Sequence, residues 1–313
     1  MITEEQVAEA LSLADVIDAL ALSLVREYCG QAVNISKTVA TWDPASSAHA
    51  LGAVDHCDHI VCFKTWVNTP DGARAVVTLF DSRDARVIAT MSANVLGSLR
   101  TAAIVGLATR HMSDPSSDRL AVIGSGRQAL QQIRAIATVR SLREVAVWSP
   151  NTEHRQAFVD EVTTKTGIRT VACGSVEEAV DSAPIVTLIT RAREPVLFRG
   201  QLAPGAHLNA VGAVLPANAE FEPMLLADAD RVVVDNLESA RRSSRELREY
   251  FGDDLSPVSS LGASLAEPPT DRPKLESAGI SVFKSMGMGL ADLAAAAAVA
   301  RALGLLEGSE QQS

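Results

Sequence analysis

The sequence offers little positive charge to an anionic partner. Its 28 lysines and arginines are outnumbered by 38 aspartates and glutamates, which gives a formal net charge of -10 and a pI near 5.1. Nucleic-acid backbones and anionic membrane surfaces attract proteins through a concentrated positive field. The composition therefore disfavours both, and we expect neither a nucleic acid nor a membrane as a partner.

Cysteine patterns typical of metal binding are also missing. The chain has no C-x-x-C pair and no cysteine with a histidine at zinc-binding spacing, so we expect reduced thiols and no metal site. The first residues, Met1 to Val7, are acidic and lack the basic segment and apolar run of a secretory signal. These features predict a cytoplasmic protein with four free cysteines, Cys29, Cys57, Cys62 and Cys173.

No apolar stretch of the sequence is both long and free of charge. The longest, Leu290 to Leu306, is rich in alanine and is interrupted by Asp292 and Arg301. We predict a packed helix there instead of a membrane span. The length of 313 residues and the hydrophobic content of 47% suffice for one large or two ordinary domains.

The first third of the chain changes from helical to β-rich patterns. Apolar residues recur every three or four positions from Glu4 to Tyr28, which predicts one or two amphipathic helices. From Ala50 to Ala89, short β-rich runs alternate with turn sequences, and this pattern predicts an antiparallel meander. A helix is expected at about Ser98 to His111, followed by a polar linker at 113–118.

Strand-like and helix-like segments alternate beyond the linker. This rhythm is typical of right-handed βαβ units and predicts an α/β fold with a Rossmann-type, doubly wound parallel sheet. The predicted helices lie at 127–139 and 152–165, and the predicted strands lie at 120–123, 144–148, 170–172, 185–189, 207–211, 231–234 and 281–284.

A glycine-rich turn after the first of these strands carries the clearest functional signal. Residues 120–129 read LAVIGSGRQA, a buried type of strand followed by G-x-G-x-x-A and a helix. Gly124 permits the tight turn, Gly126 lets backbone amides approach a pyrophosphate, and Ala129 allows the helix to pack closely. In its βαβ context the pattern predicts a dinucleotide site, and a plain glycine turn is the alternative.

The residues after the second strand indicate which dinucleotide is bound. NAD sites usually have an acidic residue there for the ribose, but this chain has Ser149 and Asn151, followed by Arg155. These three side chains can accept a 2′-phosphate. We therefore predict NADP(H) or NAD(H) as the cofactor, with a modest preference for NADP(H). An ordinary solvated Arg155 is the alternative.

Several segments resemble the ornithine cyclodeaminase and mu-crystallin family, in the same order along nearly the whole chain. The most specific is the run Leu99-Arg100-Thr101-Ala102-Ala103 ahead of a glycine loop that contains Gln128-Ala129. The other matching segments are Phe63-Lys64, 78–81, 208–213 with Pro216 and Glu220, and 282–285 with Gly287 and Asp292.

The resemblance implies a homodimer of two-domain subunits. Residues 1–112 with 290–313 are expected to form an α+β domain, made by both chain ends, for substrate binding and dimerisation. Residues 113–289 are expected to form the dinucleotide-binding Rossmann domain. The family includes cyclodeaminases, alanine dehydrogenases, reductases of cyclic or linear imino acids and a hormone-binding crystallin, so the fold alone does not determine the reaction.

The resemblance also implies roles for individual side chains. Lys64 corresponds to the active-site lysine, and Arg100 to the arginine at the substrate carboxylate and cofactor. An imine under reduction needs a proton donor, and a carboxylate needs a cation in a dry pocket. An exposed strand lysine and a helix-start ion pair are the alternatives, as is turn capping for Asn218 and Ser285. The other predicted cofactor contacts are Thr101, Gly124, Gly126, Arg127, Gln128, Ala129, Ser149, Asn151, Thr190, Val211 and Gly212.

Two positions depart from the family pattern. Val214 stands where cyclodeaminases have an aspartate, and an alkyl group cannot pair the distal ammonium of a diamino acid. Lys37 stands where an arginine is expected, which weakens bidentate carboxylate recognition. The predicted substrate-binding residues are thus Lys37, Lys64, Arg100 and Val214. Glu220 is expected to begin the following helix as a first-turn acid.

The sequence thus predicts hydride transfer between a nicotinamide and the α-carbon of a small amino or imino acid. Lys64 protonates or polarises the C=N bond, and Arg100 holds the carboxylate. An imine reductase or an amino-acid dehydrogenase fits this chemistry. Two alternatives stay open: an ornithine cyclodeaminase that forms L-proline and ammonia, and a non-catalytic NADPH-linked ligand-binding protein.

Overall fold

The computed structural model describes residues 1–267 and 279–306. The chain forms two compact units, Met1–Ala103 with Met288–Ser313, and Ile104–Gly287. Residues 268–278, within the predicted dinucleotide-binding domain, and 307–313, within the other domain, lie outside the described residues. The division falls inside the helix α3 (Asn94–Met112), whereas the predicted boundary lay at the end of this helix.

The first unit begins with the two predicted helices, α1 (Glu4–Ala10) and α2 (Leu13–Tyr28). Each starts with a capping box, in which Thr3 or Ser12 exchanges hydrogen bonds with the residue three positions on. These bonds satisfy N–H groups that a helix start leaves without partners. The apolar face of α2 is buried through Val16, Ile17, Leu20 and Leu24.

An antiparallel meander follows, as predicted. Its described strands pair in chain order and begin earlier than the β-rich pattern indicated. The alternation of the first strand is broken by a register irregularity between Ile35 and Thr38, which hides the strand from a search for period-two patterns. The strands are β1 (Ala32–Asp43), β2 (Ser46–Asp55), β3 (Ile60–Thr69), β4 (Gly72–Asp81) and β5 (Val87–Ser92).

One face of the meander is covered by the alanine-rich helix near the end of the chain. This helix, α10 (Gly289–Ala302), also packs against α2. A Cβ atom on Gly289 would lie 1.9 Å from the carbonyl oxygen of Gly52, so the helix start approaches β2 more closely than any side chain permits. The predicted packed helix is confirmed. Within the described residues, no helix has the length and apolar character needed to cross a membrane.

The other face of the meander, which we call the open sheet face, stays exposed although it is largely apolar. Phe63 is 39% exposed and Val67 is 43% exposed on the central strand β3. Strand alternation and pairing place their neighbours on the same face. The open sheet face comprises Ala48, Ala50, Gly52, Phe63, Thr65, Val67, Val76 and Thr78, and the exposed Arg74 lies beside Val67 at one edge of it.

The second unit contains the predicted Rossmann-type sheet. In the described part of the chain it has eight parallel strands, in the order β12-β11-β13-β10-β9-β6-β7-β8. The strands are β6 (Arg119–Ile123), β7 (Glu144–Trp148), β8 (Arg169–Ala172), β9 (Ile185–Leu188), β10 (His207–Ala210), β11 (Ala229–Val234), β12 (Val258–Ser260) and β13 (Ile280–Lys284). The helices are α4 (Ala129–Val139), α5 (Thr152–Thr166), α6 (Val176–Val180), α7 (Leu237–Ser243), α8 (Arg245–Phe251) and α9 (Leu261–Ala266), with a 3-10 helix at Pro223–Asp228.

The order of the strands reverses at β6, which lies between β7 and β9. In open parallel sheets, ligands bind at the carboxyl edge at such a switch point. The residue that follows β6 is Gly124, the first glycine of the predicted dinucleotide turn. The sheet topology therefore puts this turn at the position where the fold class binds its ligands.

Polar residues inside β10 are satisfied by other buried groups. His207 Nδ1 lies 2.9 Å from the Ser281 hydroxyl, and its Nε2 lies 3.1 Å from Asn209 Oδ1. The Asn209 amide donates to Thr109 Oγ1 at 3.0 Å. Burial lowers the pKa of His207 to about 3, so the ring stays neutral near pH 7. This chain of hydrogen bonds is part of the core of the second unit.

Candidate functional site

In the first unit, the two predicted catalytic residues share one partner. Lys64 is 7% exposed and faces α10 from β3. Its Nζ lies 3.0 Å from Asp292 Oδ1, and the Nε of Arg100, on α3, lies 3.1 Å from the same oxygen. The alternative of an exposed strand lysine is wrong. The ion pair expected as the alternative for Arg100 is present, but its partner is buried and shared with Lys64.

Asp292 is the member of this cluster to which the sequence alone assigned no role. It lies in the first turn of α10, is fully buried, and an acid there also interacts favourably with the helix dipole. Its Oδ2 has no hydrogen-bond partner within residues 1–267 and 279–306. The sequence feature that could have identified Asp292 is a carboxylate inside an alanine-rich apolar run, where only a paired charge is stable.

Burial lowers the pKa of the Lys64 ammonium below its ordinary value. The negative charge of Asp292 acts in the opposite direction, and the positive charge of Arg100 lowers the pKa further. Burial also raises the pKa of the neighbouring Cys62 thiol well above its usual range, so Cys62 remains protonated. The site thus holds an acid that gives up its proton more readily than a surface lysine.

An aromatic pair extends this cluster along the same face of the sheet. Trp66 lies two residues beyond Lys64 on β3, and its ring stacks on His49 with centroids 4.6 Å apart. The Nζ atoms of Lys64 and Lys37 each lie 5.3 Å from the Trp66 ring centroid. The structure therefore brings the predicted residues Lys37 and Lys64 to one indole ring, and Lys37 stays exposed.

Thr101 follows Arg100 on α3 and was predicted to contact the cofactor. Its hydroxyl donates to the Gly97 carbonyl oxygen at 2.7 Å, a bond within the helix. Gly97 lies beside Lys64, because a Cβ atom at this position would be 3.3 Å from Nζ.

In the second unit, the two glycines of the predicted dinucleotide turn differ in backbone conformation and in the space around them. Gly124 has a φ of +118°, and a Cβ atom there would lie 2.5 Å from the Ile189 carbonyl oxygen, so the fold itself requires glycine. Gly126 has no positive φ, and no described atom lies within 4 Å of an added Cβ. The open space at Gly126, just before α4, fits the close approach of a pyrophosphate.

The loop after β7 has the polar groups predicted for the ribose end. The Ser125 hydroxyl donates to Ser149 Oγ at 2.9 Å, and Arg155 Nη1 donates to the Ser149 carbonyl oxygen at 2.7 Å. Asn151 caps α5 by accepting from the His154 amide at 2.8 Å. Arg155 is half-buried against this loop, contrary to the solvated alternative. Arg127 and Gln128 follow the turn ahead of Ala129, the first residue of α4.

Glu220 does not begin a helix, and that expectation is wrong. The next helical turn starts at Pro223, and Glu220 is fully buried ahead of it. Its carboxylate accepts from the amide and hydroxyl of Thr190 at 2.7 and 2.9 Å. It also accepts from the amides of Gly212 and Ala213 at 2.6 and 2.9 Å. Buried N–H groups, rather than a helix dipole, therefore determine its position.

The remaining predicted contacts follow the ends of neighbouring strands. Thr190 lies just beyond β9, and Val211 and Gly212 lie just beyond β10. Asn218 is half-buried, and Val214 is 41% exposed.

Ser285, just beyond β13, is 3% exposed and donates its hydroxyl to Asp235 Oδ2 at 2.8 Å. Asp235 also accepts from the amides of Met286 and Gly287. The turn-capping alternative therefore describes the contacts of Ser285.

Comparison with known proteins identifies the family. The model of the ornithine cyclodeaminase/mu-crystallin family matches residues 1–303. The chain belongs to this family. It is 34% identical to the ketimine reductase mu-crystallin of Rattus norvegicus over 229 residues, 73% of this chain and 69% of that one. It is 30% identical to a Delta(1)-pyrroline-2-carboxylate reductase of Bacillus cereus over 224 residues, 70% of this chain and 67% of that one.

Solved structures share the fold of the chain. The Thermococcus litoralis Delta(1)-pyrroline-2-carboxylate reductase in complex with NADH and L-proline superposes with a TM-score of 0.89 at 22% identity, covering 98% of this chain and 99% of that one. An archaeal alanine dehydrogenase dimer with bound NAD gives 0.87 at 23% identity, covering 96% and 94%. The predicted family and fold class are confirmed.

The shared Asp292 oxygen generates a prediction about Lys64. In Asp292→Asn the charge that raises the Lys64 pKa is removed, while burial and Arg100 still lower it, so we expect a lower Lys64 pKa than in the unmodified protein. The measurement is an NMR titration of 13Cε-labelled lysine. The chain has five lysines, and the signal lost in Lys64→Arg assigns the resonance.

Asp58→Asn is the matched control for this titration. The Asp58 carboxylate pairs with Arg26 and Arg301, so its loss should leave the Lys64 titration unchanged. An equal or higher Lys64 pKa in Asp292→Asn would contradict the arrangement described above.

Proposed function

We propose that this protein is an NAD(P)H-dependent reductase of a small imino acid. The observation that carries the proposal is the cluster of Lys64 and Arg100 around the buried Asp292, which would provide a proton donor and a carboxylate-binding cation side by side. Relatives that are at least 30% identical over about 70% of this chain include a ketimine reductase and a pyrroline-carboxylate reductase, and both names describe reduction of a C=N bond.

The candidate site residues of the first unit have different roles toward the substrate. Lys64 donates a proton to the imine nitrogen, and its lowered pKa makes this transfer easier. Arg100 binds the substrate carboxylate with its planar guanidinium, and Lys37 adds a second positive charge. Asp292 holds both cations in place and keeps Lys64 charged until the proton is needed.

The second unit would hold the dinucleotide, which supplies the hydride when bound. Gly124, Gly126 and the start of α4 fit the pyrophosphate, and Thr190, Val211, Gly212, Asn218 and Ser285 are proposed for the nicotinamide end. Arg155, Ser149 and Asn151 would receive the 2′-phosphate of NADP(H). No acidic side chain in Ser149–Asn151 would repel that phosphate, which supports the modest preference for NADP(H) over NAD(H).

The region of Val214 disfavours a diamino acid as the substrate. Residues 212–219 contain no carboxylate, and the carboxylate of Glu220 is already bound to Thr190, Gly212 and Ala213. An ammonium without a partner in a closed pocket costs several kcal/mol. We therefore favour imine reduction over cyclisation of ornithine.

We also propose that the protein is a homodimer joined through the open sheet face. A largely apolar sheet surface with exposed phenylalanine and valine is unfavourable in water, and a second copy of the same surface can bury it. The related archaeal alanine dehydrogenase is a dimer.

Reduction of imino acids tests the proposed function directly. We expect the protein to oxidise NADPH with at least one of pyrroline-2-carboxylate, piperideine-2-carboxylate or a 2-oxo acid plus amine. Lys64→Met should lower kcat by about 10²- to 10⁴-fold and leave NADPH affinity unchanged, because it removes the proton donor and keeps the apolar stem. Lys165→Met, at an exposed lysine of α5, is the matched control and should keep full activity.

The pH dependence of kcat/KM also tests the proposed role of Lys64 as proton donor. Activity requires protonated Lys64, so it should fall as the pH rises through the Lys64 pKa, and this fall should begin below the range of an ordinary lysine. Efficient release of ammonia and proline from ornithine, without imine reduction, would establish the cyclodeaminase instead. NADPH binding with no turnover of any imino acid would establish a binding protein.

Dinucleotide binding has its own test at Gly126. Gly126→Val should remain folded, because no described atom meets the added Cβ, but its affinity for NADPH and NADH should fall by about two orders of magnitude or more. Gly126→Ala should show a smaller loss. Titration of the unmodified protein with both cofactors measures the proposed preference, and unchanged affinity in Gly126→Val would refute the assigned pyrophosphate site.

Sedimentation tests the homodimer. Thr65→Glu puts a charge at the centre of the open sheet face, opposite Ala50 and Val76, and should convert the dimer into monomers, because burying an unpaired carboxylate is costly. Phe198→Glu is the control: Phe198 is 46% exposed in the second unit, and its substitution should leave the dimer intact. A monomeric unmodified protein, or a Thr65→Glu dimer of undiminished stability, would contradict this proposal.

A further inference from the structure

A buried carboxylate joins the ends of two central strands in the second unit. Oε1 of Glu220 accepts from both donors of Thr190, which follows β9. Oε2 accepts from the amides of Gly212 and Ala213, which follow β10. The side chain is fully buried, so each bond forms in a low-dielectric environment where charge-assisted bonds are strong.

These amides lie at the carboxyl edge of a parallel sheet. Free N–H groups in such positions commonly bind anions of ligands. Here an internal anion occupies them, which fixes the peptide planes at Thr190, Gly212 and Ala213. The arrangement therefore orients the main chain of these strand ends instead of leaving the three amides for an external phosphate.

Gly212 shows how closely the two strand ends meet. A Cβ atom at Gly212 would lie 2.0 Å from the Thr190 carbonyl oxygen and 2.5 Å from Glu220 Oε1. Any side chain there would push the strand ends and the carboxylate apart. The close approach of the two strand ends thus requires both Gly212 and Glu220.

A second set of buried charges contacts the backbone of Glu220 and its neighbours. Glu246 Oε1, on α8, accepts from the backbone amide of Glu220 and from Lys284 Nζ, both at 3.1 Å. Lys284, the last residue of β13, also donates to the Ala213 carbonyl oxygen at 2.7 Å. Glu220, Glu246 and Lys284 are all fully buried. The network therefore ties the ends of β9, β10 and β13 to α8.

We infer that Glu220 is a positioning residue for the nicotinamide end of the dinucleotide, acting through the main chain that follows β9 and β10. This inference rests on the proposed function, because it assigns Thr190 and Gly212 to the nicotinamide. The glycine turn at Gly126 serves the pyrophosphate and is not part of the Glu220 network. Disturbing Glu220 should therefore affect the two ends of the cofactor differently.

The experiment compares two ligands that differ by the nicotinamide ring, NADPH and 2′-phospho-ADP-ribose. Glu220→Gln places an NH2 group against N–H donors, so one strand end loses its acceptor. We expect the Kd for NADPH to rise about tenfold and the Kd for the fragment to stay within about twofold.

Ser264→Ala is the matched control in the same unit. It removes a different hydrogen bond of a buried side chain, that with His111 Nε2 at 2.7 Å, on the helix α9, which packs against β11 and β12. Urea unfolding reports the stability of each variant, and Ser264→Ala should bind both ligands as the unmodified protein does. If Glu220→Gln does not fold, Glu220→Asp retains the charge but shortens the reach, and the same difference between the two ligands is expected.

The outcomes separate this inference from the proposed function. Equal weakening of both ligands in the glutamate variants would overturn the positioning role and leave a general structural one. Unchanged NADPH binding in a folded variant would overturn it as well. Failure of the unmodified protein to bind either NADPH or NADH would instead overturn the proposed function, and the inference with it.

Discussion

One carboxylate oxygen, Oδ1 of Asp292, forms ion pairs with both cations at the centre of the candidate site in the first unit. Lys64 is buried and Arg100 is partly buried at this point, and burial of such cations is strongly unfavourable unless an anion accompanies them. The partners lie 228 and 192 positions apart in the sequence. The C-terminal helix must therefore return to the N-terminal sheet, so this unit is built from both ends of the chain.

The same interaction leaves an excess of positive charge at the candidate site. One buried carboxylate faces the buried Lys64 and the partly buried Arg100, and Lys37 adds a further positive charge beside Trp66. In the proposed function, a substrate carboxylate would complete the charge balance. The second unit also depends on a buried carboxylate, Glu220, but its donors are mainly backbone amides that do not titrate. Asp292 thus influences a proton, whereas Glu220 influences the geometry of the main chain.

Features encoded by neighbouring residues could be predicted from the sequence. The glycine turn, the alternating strands and helices and the packed alanine-rich helix all follow from local patterns. Lys64 could also be identified from the sequence as a candidate site residue, because a lysine at the end of an apolar run is unusual. The first strand was missed because a register irregularity interrupts its alternation.

Features that depend on distant contacts could not be predicted in this way. Asp292 matched the family pattern, but nothing near it in the sequence shows that its partners are Lys64 and Arg100. Glu220 resembles a first-turn acid because Pro223 follows it, and only its burial shows that it binds the ends of two strands. In both cases the decisive property is a charge whose partners are brought together by the tertiary fold.

The most direct test of the account follows the hydride itself. The protein is incubated with pyrroline-2-carboxylate, piperideine-2-carboxylate or a 2-oxo acid plus amine, and with NADPH deuterated at C4 of the nicotinamide. The 4R and 4S forms are used in separate reactions, and the products are analysed by mass spectrometry. We expect at least one substrate to give an amino acid with deuterium at its α-carbon from one of the two cofactors and an unlabelled amino acid from the other. An amino-acid product without deuterium in both reactions, or no amino-acid product from any of the substrates with a protein that binds NADPH, would contradict this mechanism.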